Sequence, residues 1–225
     1  MQITLSSDDC DEFYLEAIKQ NGFGIQYIEN PSERVQIEAV KKIGFAIQYI
    51  KNPSEIVQME AVKQAGHAIR YIKNPSEMVQ IEAVKQNGCS ILNIKKPSEQ
   101  IKIEAVKQAG YAIQYIDNPS ERVQIEAVKQ DGYSIQHIKN PSEIVQMEAV
   151  KQDGFAIQYI KKPSEMVIVE AIKKNGCEIR PIDNLSIQMK LDIIKCDPFQ
   201  VFNLNPSSSD LKYAMEIWAK NKKLV

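Results

Sequence analysis

The chain has 225 residues, 44% of them apolar, so a packed core is within reach and disorder is not expected. Its 28 basic and 29 acidic residues leave a formal net charge of −1, which offers no molecule-wide field to nucleic acid or an anionic membrane. No apolar run approaches the roughly 18 residues of a membrane helix.

The first segment, MQITLSSDDCDEF, has neither a basic stretch nor an apolar core and does not read as a secretory signal. From Asp8 onward a 22-residue unit governs the chain. Pro31, Pro53, Pro75, Pro97, Pro119, Pro141 and Pro163 recur at that interval, in the unit N-P-S-E-x-V-Q-[IM]-E-A-V-K-Q-x-G-[FY]-A-I-Q-Y-I-K. Residues 8–29 fit the register without the proline. Residues 184–205 fit it with Leu185 for the proline and Pro198 for the glycine. The units are therefore 8–29, 30–51, 52–73, 74–95, 96–117, 118–139, 140–161, 162–183 and 184–205. A terminal unit has a neighbour on one side only, so degenerate ends are expected.

The letter after N-P-S-E runs Arg34, Ile56, Met78, Gln100 and then Arg122, Ile144, Met166, Gln188. The stretch IKNPSEIVQMEAVKQ stands at 50–64 and again at 138–152. A four-unit block, 30–117, reads as duplicated in 118–205, within one domain spanning 1–205.

Each unit predicts a helix of about three turns, a tight turn and a shorter helix. Asn30 is the expected N-cap, with Pro31 at N1 and Glu33 at N3. Lys41 and Lys42 suit the last turn, and Gly44 is expected as a left-handed C′ residue. The following F-A-I-Q-Y-I-K suits about two turns, partly 3-10, ended by the next Asn-Pro. On the long helix, Val35, Ile37, Ala39 and Val40 cover an arc wider than one stripe, as a helix flanked by copies of itself requires. Gln36 sits inside that arc, as do Gln58, Gln80, Gln124 and Gln146. Buried amides must be bonded, so this column is expected to bond to neighbouring units. Glu38 and Lys41, with their equivalents, read as i,i+3 pairs on a solvated face.

The short helix carries the candidate binding surface. Tyr27, Tyr49, Tyr71, Tyr115 and Tyr159 recur there, and His137 holds the same register. With Ile47 and Ile50 pointing inward, these rings should lie outside, beside Gln48, Gln114 and Gln158. Arg70 and Arg180 stand where those glutamines do. Exposed tyrosines suit interfaces because a large rigid ring loses little entropy on ordering. The competing reading packs the rings between units and leaves only the hydroxyls wet. SILNI (90–94) and EIRPI (178–182) break the column, which marks either a place where a partner is read or drift.

The final segment, SSSDLKYAMEIWAKNKKLV, leaves the register. It predicts a helix within 206–225, capped by Ser209 or Asp210, that covers the end of the stack through Leu211, Met215 and Trp218. A dimerising role is the alternative, so the chain is expected to be a monomer or a weak dimer through this helix.

Nothing in the sequence assembles a catalytic or metal site. His67 and His137 replace aromatic residues of the repeat and belong to no set with zinc-ligand spacing. No phosphate-binding glycine loop, G-x-S-x-G or H-E-x-x-H occurs. Cys10, Cys89, Cys177 and Cys196 are too few and too far apart in the repeat to read as a disulfide framework. Four free thiols, no cofactor and a cytoplasmic setting are the expectation.

This pattern resembles α-solenoids, in particular HEAT-like and leucine-rich-variant repeats. N-P-S-E…E-A-V-K-Q-x-G…A-I-Q-Y-I-K is also similar to short tandem repeats of unknown function in proteins of phages, large DNA viruses and some bacteria. The resemblance covers 8–183 well and the last unit weakly. It implies an all-α, right-handed solenoid of nine helix–turn–short-helix repeats with a C-terminal capping helix, and it suggests a viral or mobile origin. It carries no catalytic residues. The expected function is a non-enzymatic protein-binding scaffold, in its sharper form one that engages a host factor in the host cytoplasm. A nucleic-acid or nucleotide-binding solenoid is the alternative, disfavoured because the Glu column cancels the Lys column.

Overall fold

A computed structural model of the chain describes residues 7–175, 187–199 and 207–222. The chain divides into two compact units, Met1–Asn118 and Pro119–Val225. In the first, α-helices alternate with 3-10 helices: α1 (Ser7–Gln20), η1 (Gly22–Tyr27), α2 (Glu33–Lys42), η2 (Gly44–Tyr49), α3 (Glu55–Gln64), η3 (Gly66–Tyr71), α4 (Glu77–Gln86), η4 (Gly88–Asn93), α5 (Glu99–Gln108) and η5 (Gly110–Tyr115). The second holds α6 (Glu121–Gln130), η6 (Gly132–His137), α7 (Glu143–Gln152), η7 (Gly154–Tyr159), α8 (Glu165–Asn175), α9 (Ile187–Cys196) and α10 (Ser208–Lys222). No strand occurs among the described residues.

Packing is serial. In the first unit each of α1 to α4 lies against the next α-helix, each of η1 to η4 lies against the next 3-10 helix, and each of η1 to η4 also touches the α-helix that follows in the next repeat. The second unit repeats the arrangement from α6 to α8 and continues through α9 to α10. Between the two rows lies the core. Val35, Ala39 and Val40 of α2 are fully buried, and Ala46, Ile47 and Ile50 close over them from η2 and its end. Val57, Ala61, Val62, Ala68, Ile69 and Ile72 do the same one repeat later. Burying each Val or Ile contributes roughly 1.5–3 kcal/mol, so every repeat draws its stability from its neighbours.

The helix start differs from the sequence expectation. Ser32, not Asn30, is the N-cap: its Oγ accepts from Val35 N at 3.4 Å, with φ −60° and ψ 157°. Asn30 takes φ 53° instead, the left-handed region that asparagine tolerates best after glycine. Both residue types can cap, but at this position it is the serine hydroxyl that accepts from Val35 N and donates to Asp11 of the preceding repeat. Ser54 Oγ donates to Glu33 and Ser76 Oγ to Glu55; Ser98 Oγ donates to Glu77 at 2.7 Å. In the second unit Ser142 and Ser164 donate to Glu121 and Glu143. Each cap is thus also a bond between adjacent repeats.

The helix end differs too. Gly44 is not left-handed; it opens η2. A Cβ there would stand 2.5 Å from the Ala61 carbonyl oxygen of the next repeat, so glycine is required for close approach. Its N–H donates to Gln64 Oε1 at 2.7 Å, and Gly66, Gly88 and Gly132 donate likewise to Gln86, Gln108 and Gln152. These glutamines, rather than the Gln36 column, link the repeats. Gln36 folds back within its own repeat, its Nε2 donating to the Pro31 carbonyl at 2.8 Å, because that carbonyl precedes the helix and needs a donor.

The i,i+3 pairs form at Glu16–Lys19, Glu60–Lys63 and Glu148–Lys151, at 2.6, 2.9 and 2.9 Å. The hydrogen bond that Lys63 donates to Glu60 raises the Lys63 pKa, and Glu82 of the next repeat adds to it. Cys10 and Cys89 are half-buried free thiols. Cys196 closes α9, and Cys177 lies outside the described residues.

At α10 the cap is Ser207, two residues before Ser209 and three before Asp210, the expected caps. Its Oγ accepts from Asp210 N, and the Asp210 carboxylate accepts from Ser207 N at 2.9 Å and Oγ at 2.7 Å. The helix meets Ile194 of α9 through buried Ala214, with Leu211 and Tyr213 half-buried beside it. Met215 and Trp218, expected to cover the stack, are largely exposed. The small residue allows the closer approach and so sets the contact face.

Candidate protein-binding face

Three residues per turn sort each 3-10 helix into rows. In η2, Gly44, Ile47 and the following Ile50 form the buried row. Phe45 lies above Gln48, whose Nε2 donates to the Phe45 carbonyl at 3.1 Å, and Tyr49 ends the helix. The tyrosine column is at the surface, as expected. Tyr27 is 85% exposed, and Tyr49, Tyr71, Tyr115 and Tyr159 lie between 38% and 44%. Gln48, Gln114, Gln158, Arg70 and His137 are exposed beside them. Arg180 and the EIRPI break lie outside the described residues.

The competing expectation is also partly met, because the rings pack laterally. Phe23 meets Tyr49 edge-on at 6.0 Å and 87°, Phe45 meets Tyr71 at 6.3 Å and 86°, and Tyr133 meets Tyr159 at 5.8 Å and 76°. Tyr49, Tyr71 and Tyr159 therefore lean on the ring that follows the glycine in the preceding repeat. This second aromatic row escapes a reading of one helix at a time. Its signal is the Phe or Tyr 26 positions before Tyr49, Tyr71 and Tyr159.

Arg70 stacks over this surface, its Cζ 5.3 Å from the Phe45 ring and 4.7 Å from the Tyr71 ring, with Nη2 donating to the Tyr71 hydroxyl at 2.6 Å. Such cation–π contact fixes the guanidinium while leaving donors outward. The Tyr111 hydroxyl is held above its usual pKa by the hydrogen-bonded Cys89 thiol, and Tyr133 by desolvation and then by Asp153. Both phenols stay neutral O–H donors through the physiological range.

The rows are interrupted at η4. Cys89 replaces the ring after the glycine and Asn93 replaces the tyrosine, leaving Leu92 63% exposed. Beside it, between η4, η5 and the start of α5, opens a groove of about 700 Å³. SILNI (90–94) supplies Ile91, Leu92 and Ile94 of its lining.

No group of three His, Cys, Asp or Glu among the described residues is placed to hold a metal ion. No described helix is long and apolar enough to cross a membrane. Fold and face together define an all-α repeat solenoid whose 3-10 row presents an aromatic and amide surface. No family model matches the chain, and neither a curated protein nor a solved structure does.

Proposed function

We propose that the chain is a non-enzymatic scaffold that binds a protein through its 3-10 row. The observation that carries this reading is the tyrosine column. The rings of Tyr49, Tyr71 and Tyr159 are braced by neighbouring rings yet keep more than a third of their surface exposed, beside exposed Gln48, Gln114, Gln158, Arg70 and His137. Braced rings bring large contact area with little ordering cost, which is what an interface anchor needs. The similarity of the unit to tandem repeats of phages and large DNA viruses makes a host protein the partner in the sharper form of this reading.

The test is affinity capture with the full chain against the Tyr49→Ala/Tyr71→Ala chain, read by quantitative mass spectrometry. A partner depleted about tenfold or more by the double substitution is expected, at unchanged circular dichroism. Equal recovery of every captured protein by both chains would remove the tyrosine column from the function. Salt-dependent capture of nucleic acid in place of protein would replace the reading altogether.

A further inference from the structure

We propose that the groove beside Leu92 is a docking site for an extended acidic segment of a partner protein that carries an aliphatic side chain between its carboxylates. This rests on the scaffold reading above and adds the chemistry of the partner. The groove is lined by Ile91, Leu92, Ile94, Tyr115 and Ile116 on its apolar side, and by Lys96, Lys102, Gln114 and Asp117 on its polar side. Its volume falls within the range of specific ligand sites.

The polar lining departs from the repeat at each position that matters. Leu92 stands where Gln48 and Gln114 stand in other repeats. Lys96 replaces the asparagine of Asn30, Asn52, Asn74, Asn118 and Asn140. Lys102 replaces the glutamine of Gln36, Gln58 and Gln80, and Asp117 replaces Lys51 and Lys73. Two of these exchanges are locally unfavourable. Lys96 keeps the left-handed φ of 51°, which lysine tolerates less well than asparagine. With Lys102, the clasp that Gln80 makes to the Pro75 carbonyl has no counterpart on Pro97. What the exchanges bring together is two ammonium groups over an aliphatic floor.

Neither Lys96 nor Lys102 pairs with a described carboxylate, although Lys107 on the same helix does, with Glu104. Charge complementarity therefore calls for an acidic occupant, and the Ile and Leu floor for an aliphatic anchor. Asp117 and Gln114 decide between peptide and nucleic acid. A peptide backbone has N–H groups for the Asp117 carboxylate to accept, whereas a phosphate backbone has none and is repelled by it.

The test uses the full chain and the fluorescein-labelled peptide acetyl-Asp-Glu-Leu-Leu-Glu-Asp-amide, read by anisotropy at low salt. Three companion probes replace both leucines by serine, replace the acids by lysine, or substitute an oligothymidylate. The variant is Leu92→Gln/Lys96→Asn/Lys102→Gln, which restores side chains that other repeats carry at those registers and so retains the fold. Saturable binding of the acidic leucine peptide is expected, with binding at least tenfold weaker for the companions and for the variant. Lys102→Gln alone should weaken it about threefold. Equal binding to the variant, or tighter binding of the serine peptide or the oligothymidylate, overturns the proposal. So does a captured protein partner that the variant retains in full; that result leaves the scaffold standing and removes the groove from it.

Discussion

Residues 30–41 and 118–129 are identical, as are 52–64 and 140–152, yet the stretches that follow them differ. Phe45, Ala46 and Tyr49 become Tyr133, Ser134 and His137; His67 and Arg70 become Phe155 and Gln158. The identical letters form the α-helices and their caps. The divergent letters form the turns and the 3-10 helices. The contrast follows from how many neighbours each side chain serves. Ser54 caps its own helix and bonds Glu33, while Val57 and Ala61 are fully buried. In a 3-10 helix only the glycine and the small and aliphatic core positions are fixed in this way, and the remaining positions face outward. In these two pairs the α row is the frame, and the 3-10 row is where the copies can be told apart.

The strongest way to break this comparison is to disturb the frame. Deleting 52–73 joins Lys51 to Asn74 and leaves every helix facing an equivalent neighbour. Deleting 52–62 sets the register half a repeat out. The first chain should remain monodisperse and helical with a gradual loss of stability, and the second should aggregate. Size-exclusion profiles and urea melts check this, and collapse of both would show one indivisible core. Next in size is glycine. Gly66→Ala brings a Cβ to 2.4 Å from the Ala83 carbonyl oxygen and should cost about 3 kcal/mol. Gly24→Ala meets only Ile18 Cδ1 at 3.7 Å and should stay within about 0.5 kcal/mol in the same melts.

Smaller effects sharpen the contrast from both sides. Ser76→Ala removes a cap and its bond to Glu55 and should cost about 1 kcal/mol. Ser134 stands on the 3-10 row where Ala46, Ala68, Ala112 and Ala156 stand in other repeats, and its buried Oγ has no partner among the described residues. Ser134→Ala should therefore stabilise by about 1 kcal/mol, a sign opposite to that of Ser76→Ala. The smallest effect concerns α10. The Ser207 hydroxyl and N–H hold Asp210 below its usual 3.8. A carboxylate depressed in the folded state stabilises above the unfolded pKa and loses that contribution as pH falls through the folded one. Helicity at α10 should be steady above about pH 4 and decline below it, and Asp210→Asn should flatten that decline in a circular dichroism titration.

The sequence made the 22-residue unit, both helices, the buried Val and Ile positions and the exposed tyrosines legible, because each follows from periodicity within one repeat. What it hid depends on two repeats at once. Asn30 and Ser32 are equally good caps in isolation, and only the stacking of repeats, which sets Asp11 against Ser32 and Glu33 against Ser54, shows the serine in that role. Gly44 looks like a helix stop until the Ala61 carbonyl is placed beside it. Gln36 and Gln64 are the same residue type, and only geometry shows that the first turns inward to Pro31 and the second crosses to Gly44. The groove was hidden for the same reason: Leu92, Lys96, Lys102 and Asp117 are separated along the chain and meet only when adjacent repeats stack.

The bonds between repeats have a kinetic meaning as well. Gly44 reaches Gln64 and Ser54 reaches Glu33 across 20 and 21 residues of chain, and Gly132 reaches Gln152 across the same span. Every closure of this kind encloses a loop of similar length, so none carries a larger entropic barrier than the one before it. A nascent chain can dock each repeat as it leaves the ribosome, without waiting for a distant partner segment. Its interior is completed one repeat at a time.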